Sequence, residues 1–562
     1  MLREKLQVSR ELLVDPNLQG IPGHRLSSFF VLVVLTGVLF CGQWGRGLVT
    51  MDDLREAEVA REMAENKETV IPTLAGLPFV EKPPGFPLLL SLAFRGWGAP
   101  EVWLARLISA FFGAAAVVGV YLLALRTRGL QTAWIASSLL ALSPLFCRVS
   151  HEILLDNALA ALIAFTLLFL WEGASAPPGR RKRLACLAGG FTLGLAFLVK
   201  GFVGPALVAS GLIVHAVLAR RWRDYLGEHA LWCIAGSFVP ILCWLVPFCR
   251  SAPPGLLRTF FIDNHLMRFS QAYDGHGRPL YFYLLTLGYK LGWATVFLPW
   301  AAVDLWKSGR TPDRRADLFF CSFAAGPLLL LSLSKAKEAI YLLPAYPAFA
   351  LWAGSWVERV VAGEGPARPR LLGLLGLGSL VSALFMSGWA CWLGGSGMAM
   401  WGVGVALCLG VAILCRGWSR RQPFGVLGGS LLLWGLACLL GVCGPVAAWE
   451  DSRQEWPAVT DRILSEARGD DLVLLGPVDE LRGALGFFRR RTAREVQSSS
   501  ELLASLASSP GVLGVLFADS IYHRALLAEA EGRVPPLVER LRIPFRGKTL
   551  LLIESSAPKA SP

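Results

Sequence analysis

Apolar stretches of about 17 to 25 residues recur along this chain from Phe29 to about Val446. Each stretch is near the length that a helix needs to cross the hydrocarbon core of a bilayer, and there are about 13 of them. Charged residues make up 17% of the 562 residues, whereas soluble globular proteins carry about 25%. The mean hydropathy is +0.51. The chain is therefore predicted to be an α-helical polytopic membrane protein. The predicted spans are 27–46, 103–125, 130–147, 155–172, 184–199, 202–219, 229–249, 281–303, 317–333, 339–357, 371–393, 399–415 and 424–446.

The basic residues follow the predicted topology. Clusters of Lys and Arg lie after alternate spans, and such loops remain in the cytoplasm by the positive-inside rule. The clusters are 126–128, 180–183, 219–223, 307–315, 359–370 and 416–421. The N-terminal segment 1–26 is predicted on the same side, so an odd number of spans places the C-terminus outside. Because topology accounts for the net charge of +13, that charge does not indicate a nucleic-acid partner.

The composition changes from membrane-like to soluble near residue 450. Buried strands are predicted at 471–477, 511–519 and 548–555, with helices at 457–468, 479–490, 499–508 and 520–532. This alternation predicts a small exported α/β domain over 450–562, after a transmembrane domain over 27–449. No cysteine lies beyond Cys443, so the domain has no disulfide framework. It contains no recognisable catalytic constellation.

The external loop over 47–102 is dense with charge. The segment MDDLREAEVAREM begins at Met51 and EKPPG begins at Glu81. Apolar residues over 53–66 recur with helical spacing, which predicts an amphipathic helix lying along the membrane surface. Arg61 is expected only to solvate the polar face of this helix. Charge so close to a bilayer is costly unless it is solvated, paired or used.

The other ionisable residues near the ends of the spans share one side of the membrane. In the predicted topology all of them face outward, many from the second external loop over 250–280. This bias favours a single reaction chamber at the outer leaflet, and structural charge pairs between helices are the competing explanation. The set is Asp52, Asp53, Arg55, Glu81, Lys82, His151, Glu152, Asp156, Lys200, Asp263, His265, Arg268, His276, Lys335 and Lys337.

These residues can be sorted by chemistry. Asp52 and Asp156 are suited to act as a base or to bind a hydroxyl or amine. Glu81 and His265 offer the oxygen and nitrogen ligands of a divalent metal ion. The cations suit a phosphate or diphosphate, and a phosphate in a lipid-facing cavity suggests a polyprenyl-phosphate carrier. The cations are Arg55, Lys82, Arg268, Lys335 and Lys337.

Four ordered blocks over about residues 30–360 resemble the aminoarabinose transferases (ArnT), which are GT-C membrane glycosyltransferases related to the protein O-mannosyltransferases. The first block is DDLREAEVAREM followed by FVEKPPGFPLLL, and the second is HEILLDN, which contains Asp156. The third is NHLMRF with HGRPLYFYL. The fourth is SKAKEAIYLLPAYPAFAL, which contains Lys335, Lys337 and Tyr341.

The resemblance implies an inverting glycosyltransferase of the bacterial inner membrane, with its active site and C-terminal domain in the periplasm. The donor would be a polyprenyl-phosphate sugar (undecaprenyl phosphate in bacteria), and the acceptor would be lipid A, another glycan or a protein. Membrane lipids would surround the protein. The implied catalytic residues are Asp52, Asp156 and Lys82. The implied phosphate-binding residues are Arg55, Lys82, Arg268, Lys335, Lys337 and Tyr341, and Glu81 and His265 would hold a divalent metal.

The chain departs from the family pattern at two places. The aromatic residue usual after the arginine is Glu56, and the fourth block lacks its Pro-Thr pair before Tyr341. These departures concern the sugar and the acceptor more than the fold. A transporter or flippase of a lipid-linked saccharide is one alternative, but it would place ionisable groups near the membrane midplane in both halves. A sensor that binds through the exported domain is another, and it leaves the charged loops unexplained.

Overall fold

The computed structural model describes residues 32–44, 46–48, 50–220, 227–267, 277–308, 314–363, 367–393, 397–442, 456–467, 471–476, 479–508, 512–518, 520–531, 536–545 and 548–555. The predicted cytoplasmic segment 1–26 lies outside these residues, as do Arg268 and His276.

Helices dominate the chain up to residue 442. In chain order they are α1 Met51–Asn66, α2 Gly85–Trp97, α3 Val102–Thr127, α4 Leu130–Ala141, α5 Pro144–Val149, α6 Asp156–Ser175, α7 Arg180–Lys200, α8 Val203–Ala219, α9 Glu228–Ser251, α10 Pro254–Arg258, α11 Phe282–Lys290, α12 Trp293–Ser308, α13 Arg315–Leu333, α14 Tyr346–Ala362, α15 Ala367–Trp392, α16 Gly397–Ser419 and α17 Pro423–Val442. A π-helical turn covers Thr259–Met267 and a 3-10 turn covers Ala339–Ala345. A small hairpin pairs β1 Thr73–Leu74 with β2 Leu77–Pro78.

Among the described residues, 8 helices are long and apolar enough to cross a membrane, namely α3, α6, α7, α9, α13, α15, α16 and α17. The shorter helices α4 and α8 are also apolar. Several predicted spans are interrupted. The span 130–147 divides into α4 and α5, 281–303 divides at Gly292, where φ is +70°, and 339–357 begins as the 3-10 turn.

The basic loops that were predicted on one side meet at one end of the helices. Arg359 lies 2.7 Å and Arg314 lies 3.0 Å from the carboxylate of Asp317, a side chain with 0% exposure. Arg128 approaches the same carboxylate at 3.9 Å. Burying a charge is costly unless it is paired, and Asp317 is paired by arginines from three predicted cytoplasmic loops.

The C-terminal region folds as the predicted α/β domain. Its helices are α18 Trp456–Ala467, α19 Asp479–Arg489, α20 Ser499–Ser508 and α21 Ile521–Ala530. Its strands are β3 Asp471–Leu475, β4 Arg494–Val496, β5 Val512–Phe517, β6 Leu537–Phe545 and β7 Lys548–Ser555. The sheet order is β4-β3-β5-β7-β6, with β3 parallel to β4 and β5, and with antiparallel β5–β7 and β6–β7 pairs.

Alternate residues of the strands point to opposite faces of this sheet. Leu472 and Leu474 pack with α18 and α19, in a core that continues to Leu54 of α1. Val473 and Leu475 pack with α20 and α21 on the other face. The domain is therefore a layered α/β unit whose α18–α19 face joins the helices of the membrane region.

Helix α1 begins with a reciprocal cap. The Thr50 hydroxyl accepts from the Asp53 backbone N–H and the Asp53 carboxylate accepts from the Thr50 N–H, both at 3.1 Å. Every residue from Asp53 to Met63 is buried, because α2 and α19 cover the helix. The expectation of a solvated polar face is therefore wrong, while the orientation of the helix along the membrane surface stays a prediction.

Candidate functional site

The first turns of α1 carry a cluster of ion pairs around Arg55. One guanidinium nitrogen donates to the Asp52 carboxylate. The other lies 3.2 Å from Glu81 and 3.9 Å from Asp479 of the C-terminal domain, and the guanidinium also stands 5.5 Å from the Phe79 ring centroid. The Asp52 side chain is 39% exposed, against 10% for Arg55. Asp52 is thus the accessible carboxylate of the cluster.

Lys82 lies beside this cluster and pairs with Glu56 at 3.3 Å. Burial disfavours the charged ammonium, but the carboxylates of Glu81 and Glu56 outweigh burial, so the pKa of Lys82 is raised. Lys82 is therefore a cation at neutral pH. The residue that departs from the family pattern, Glu56, supplies its carboxylate partner.

The EKPPG segment is packed tightly against the end of α7. A Cβ on Gly85 would come within 2.5 Å of the Leu198 carbonyl oxygen, so only glycine fits there without a shift. Lys200, the last residue of α7, donates to the Asp156 carboxylate at 2.5 Å. Its ammonium also lies 5.1 Å from the Tyr341 ring centroid. The structure thus gathers Asp156, Lys200 and Tyr341 into a second cluster near the first.

A narrow cleft lies beside the first cluster. Glu56, Lys82 and Phe79 line it, together with Leu155, the residue that precedes Asp156. Asp156 stands in the first turn of α6, where the positive end of the helix dipole is favourable to a negative charge. The cleft therefore carries ions from loop one, and the second cluster begins at the residue after Leu155.

His265 lies in the π-helical turn, against the end of α7. Its Nδ1 is 2.6 Å from the Phe260 carbonyl oxygen, which assigns the proton to Nδ1 and leaves Nε2 with a lone pair. A Cβ on Gly201 would stand 2.1 Å from that Nε2. The neighbouring Asn264 side chain donates to the Val80 carbonyl at 3.2 Å. The turn is therefore held against the residue that precedes Glu81.

Glu81 and His265 are the two residues that the sequence assigned to a divalent metal, and that assignment stays a prediction. His265 has the tautomer that metal-binding histidines adopt, and Glu81 supplies a carboxylate that is 11% exposed. No group of three or more His, Cys, Asp or Glu side chains that could hold a metal occurs among the described residues. A metal held by Glu81 and His265 would complete its coordination with water or a substrate oxygen.

The two lysines of the fourth block differ in environment. Lys335 is exposed and Lys337 is buried. The Lys337 ammonium donates to the carbonyls of Ser334 and Arg278, the latter at 3.1 Å, and burial lowers its pKa. A bridge between Gly277 and Ala336 joins this segment to the second external loop. Lys337 thus holds two loops together.

Two other ionisable residues of the sequence-derived set are structural. Asp53 accepts from the Ile153 backbone N–H at 2.6 Å and lies 3.7 Å from buried Arg106. The two ring nitrogens of His151 lie 2.7 Å and 2.9 Å from the carbonyl oxygens of Cys147 and Cys41. The contacts of Asp53 fix α1 against the turn between α5 and α6. Because Asp53 and His151 are occupied in this way, Asp52 is the candidate for chemistry.

Arg61 does not have the solvating role that the sequence indicated. Its guanidinium forms two hydrogen bonds to Glu58, at 2.6 and 2.7 Å, and a third to Glu65. Its side chain is only 7% exposed. The expectation was wrong because the C-terminal domain covers this face of α1, and Arg490 of that domain reaches Glu65 at 2.9 Å.

Sequence reasoning identified the residues of both clusters but missed three partners. These are Glu56 beside Lys82, Lys200 beside Asp156, and Asp479 beside Arg55. The sequence placed Lys200 among the ionisable residues near the ends of the spans but assigned it no role. Gly483 and Gly486, three residues apart on α19, were the available signal for a close helix contact, although nothing in the sequence identifies α1 as the partner.

Known proteins are similar to this chain in sequence. Residues 54–250 match the family described as dolichyl-phosphate-mannose-protein mannosyltransferase. An undecaprenyl phosphate-alpha-4-amino-4-deoxy-L-arabinose arabinosyl transferase of Sodalis glossinidius is 28% identical over 72% of this chain and 75% of its own length. One from Pseudomonas aeruginosa is 31% identical over 60% of this chain and 61% of its own length.

The fold also has a solved counterpart. The crystal structure of ArnT from Cupriavidus metallidurans bound to undecaprenyl phosphate superimposes with a TM-score of 0.69 at 22% identity, over 96% of this chain and 99% of that one. The present chain is thus a polytopic membrane glycosyltransferase with the GT-C fold. Within that class it is ArnT-like, as the motifs of loop one predicted.

Proposed function

We propose that this protein transfers a sugar from undecaprenyl phosphate, or a related polyprenyl phosphate, to lipid A, another surface glycan or a protein. The reaction takes place at the periplasmic face of the bacterial inner membrane. The C–O bond between the anomeric carbon and the donor phosphate breaks, and its electron pair leaves with the phosphate. An acceptor oxygen attacks the opposite face of the sugar, which inverts the anomeric carbon.

The observation that carries the proposal is the pair of cations formed by buried Arg55 and half-buried Lys82. Preorganised cations at a departing phosphate are usually the largest catalytic contribution where water is scarce. Both cations face carboxylates that a phosphate can replace. Among the described residues, Arg55 Nε is buried and has no hydrogen-bond acceptor. An arriving phosphate oxygen would supply that acceptor.

The tyrosine and the two lysines of the fourth block complete the proposed phosphate site. Tyr341 stands beside Lys200, while exposed Lys335 is accessible to a lipid headgroup and Lys337 fixes the surrounding loop. Arg268 was assigned to the same phosphate from the sequence, and that assignment falls on a residue outside the described part of the chain.

The carboxylates have separate proposed roles. Asp52 is the accessible one, and it would take the proton of an acceptor hydroxyl as general base. If the acceptor is itself a phosphate, no base is needed and Asp52 orients the sugar. Asp156, held by Lys200, would bind sugar hydroxyls or an amine. Glu81 and His265 would hold a divalent ion, which supplies positive charge at the donor phosphate.

The test is sugar transfer by membranes or proteoliposomes containing Asp52→Asn or Lys82→Ala protein. Lys82→Ala should lose about 10²–10³ in rate, the cost typical of removing one such charge-stabilising donor. Glu101→Gln and Arg95→Ala are matched controls in the same external loop, and both should retain near-normal activity. Arg95 is exposed and Glu101 lies at the start of α3.

Mass spectrometry of lipid A and surface glycans, with and without the protein, identifies the acceptor class. Turnover by Asp52→Asn and Lys82→Ala at the level of the two controls, measured at equal protein amounts, would contradict the site. Unchanged glycans alongside a changed distribution of the lipid-linked sugar across the membrane would instead support a flippase.

A further inference from the structure

Helix α19 of the C-terminal domain lies directly on the helix that carries Arg55. The Arg482 guanidinium donates to the Leu74 carbonyl at 2.6 Å. A Cβ on Gly483 would come within 3.0 Å of the Leu54 backbone, and one on Gly486 within 2.0 Å of the Glu58 carboxylate. These close approaches allow little freedom in how the two helices are placed. The domain therefore has a fixed register on α1.

This register places a carboxylate beside Arg55. Asp479 lies four residues before Gly483 and so on the same face of α19. Its carboxylate is 3.9 Å from Arg55 and 3.6 Å from Arg482, and Arg482 is anchored in turn by Glu495 at 2.7 Å. Asp479 stands in the first turn of α19, where the helix dipole is favourable to a negative charge.

Asp479 is unlike the other acidic partners of Arg55. Asp52 and Glu81 belong to loop one and have proposed roles with the acceptor and the metal. Asp479 comes from another domain, is 30% exposed, and has no proposed contact with the substrate. A negative charge at this position draws the guanidinium away from an incoming phosphate and repels that phosphate. The Asp479 carboxylate should therefore weaken phosphate binding at Arg55.

We propose that Asp479 is a positioning residue that weakens the hold of Arg55 on the lipid phosphate, so that the C-terminal domain adjusts the affinity of the active site. This inference rests on the proposed function, because it takes Arg55 to bind the donor phosphate. Both the donor and the departing product carry a phosphate on the same lipid. An arginine that holds this phosphate too tightly would retain the product, and Asp479 adds to the opposing charge of Asp52 and Glu81.

The experiment measures binding of undecaprenyl phosphate to purified full-length protein in detergent, together with donor KM. Asp479→Asn should bind undecaprenyl phosphate about two- to fivefold more tightly, the range expected for one partly exposed charge pair, and donor KM should fall in the same direction. Asp479→Glu should restore wild-type affinity. Asp461→Asn is the matched control, since Asp461 forms an ion pair with Arg489 at 2.6 Å within the same domain.

The sign of the effect separates this role from a structural one. A variant that merely loosens the domain would disorder α1 and weaken binding. Asp479→Ser removes the charge with a residue accepted at helix starts, and it should reproduce the gain in affinity at an unchanged Tm. Unchanged or weaker binding by both variants overturns the inference. If wild-type protein binds undecaprenyl phosphate no better than Arg55→Ala protein, the proposed function fails as well.

Discussion

The two cations of loop one are each paired with carboxylates. Arg55 and Lys82 face three acidic side chains, Asp52, Glu56 and Glu81, and four of these five side chains are largely buried. A buried ion is tolerated only with a partner. At the proposed site a lipid phosphate would therefore compete with these carboxylates for the two cations.

Gly201 approaches His265 closely enough to exclude a Cβ. We expect Gly201→Ala to displace the His265 ring, because the new Cβ would lie 2.1 Å from Nε2, and to reduce both activity and the content of any bound divalent metal. Gly98→Ala is the matched control, since its φ is also positive, at +90°, with nothing within 4 Å of the added atom.

Both substitutions place alanine at positive φ, which costs about 1–2 kcal/mol in the left-handed region, but ψ is −142° at Gly201 and 0° at Gly98. The contact with His265 is therefore reported by the loss of metal relative to the loss of Tm in each variant. Metal analysis of the purified variants, with activity before and after chelation, measures that loss of metal. Equal losses in the two variants would remove His265 from the site.

Glu58 carries a second residue-scale prediction, in pH. Burial raises its pKa to about 7, although the hydrogen bonds and charge of Arg61 lower it. In the unfolded chain the pKa of a glutamate carboxyl is about 4.3. Between these values the folded state holds a proton that the unfolded state has released, so stability falls as pH rises.

Thermal denaturation in detergent should therefore show Tm decreasing between about pH 5 and pH 7.5. Glu58→Gln should make this decrease shallower. Glu65→Gln, at a carboxylate that is 48% exposed on the same helix, should retain the wild-type slope. An identical slope in all three proteins would show that Glu58 stays ionised throughout.

At the scale of elements, the start of α2 fixes the distance between the two ion clusters. Gly85→Ala would push its Cβ to 2.5 Å from the Leu198 carbonyl oxygen, so α2 must move away from α7 and carry Glu81 and Lys82 with it. Overpacking of this kind costs about 1–3 kcal/mol. We expect activity to fall more than Tm.

Gly96→Ala, in the last turn of the same helix, has nothing within 4 Å of the added atom and should leave activity unchanged. Transfer rates and Tm are measured for both variants and compared. Full activity of Gly85→Ala would mean that the spacing between Lys82 and Lys200 does not matter for catalysis.

Most helices and strands could be predicted because each follows from the pattern of apolar residues within its own segment. The three strands predicted in the C-terminal domain and its four helices lie within a few residues of the observed bounds. Strands β4 and β6 were missed because both are edge strands, β4 paired only with β3 and β6 only with β7. In β6 the charged residues Glu539, Arg540 and Arg542 also obscure the apolar alternation. The breaks near Leu142 and Gly292 were missed because both halves of each span are equally apolar.

The partners within the site were harder to predict than its residues. Fixed spacing identified Asp52, Arg55 and Lys82, because neighbouring residues of a motif share one loop. The pairing of Asp479 with Arg55 depends on how two distant helices pack, and no local pattern encodes that. Burial of Arg61 was missed for the same reason, since its cover comes from another domain.

At the scale of the whole molecule, loop one and the C-terminal domain must lie on the same side of the membrane, because α1 and α19 are in contact. The arginines around Asp317 lie in loops that were predicted on the opposite side. We expect a reporter that is active only outside the cytoplasm to work at the C-terminus. It should fail when inserted at 180–183.

Reporters active only in the cytoplasm, placed at the same two positions, provide the control and should give the reverse pattern. A cytoplasmic C-terminus would move the proposed site to the cytoplasmic face. The lipid-linked donor would then have to reach the site from the cytoplasmic face.

The contact between Arg482 and Leu74 joins residues 408 positions apart in the chain. At synthesis rates of about 5–20 residues per second, roughly 20–80 s separate the emergence of these two residues from the ribosome. Throughout that interval the face of α1 that carries Glu58 and Arg61 has no cover. Arrival of α19 is therefore a late step in covering this face, and a chain whose synthesis stops before α19 leaves that face of α1 open to proteases.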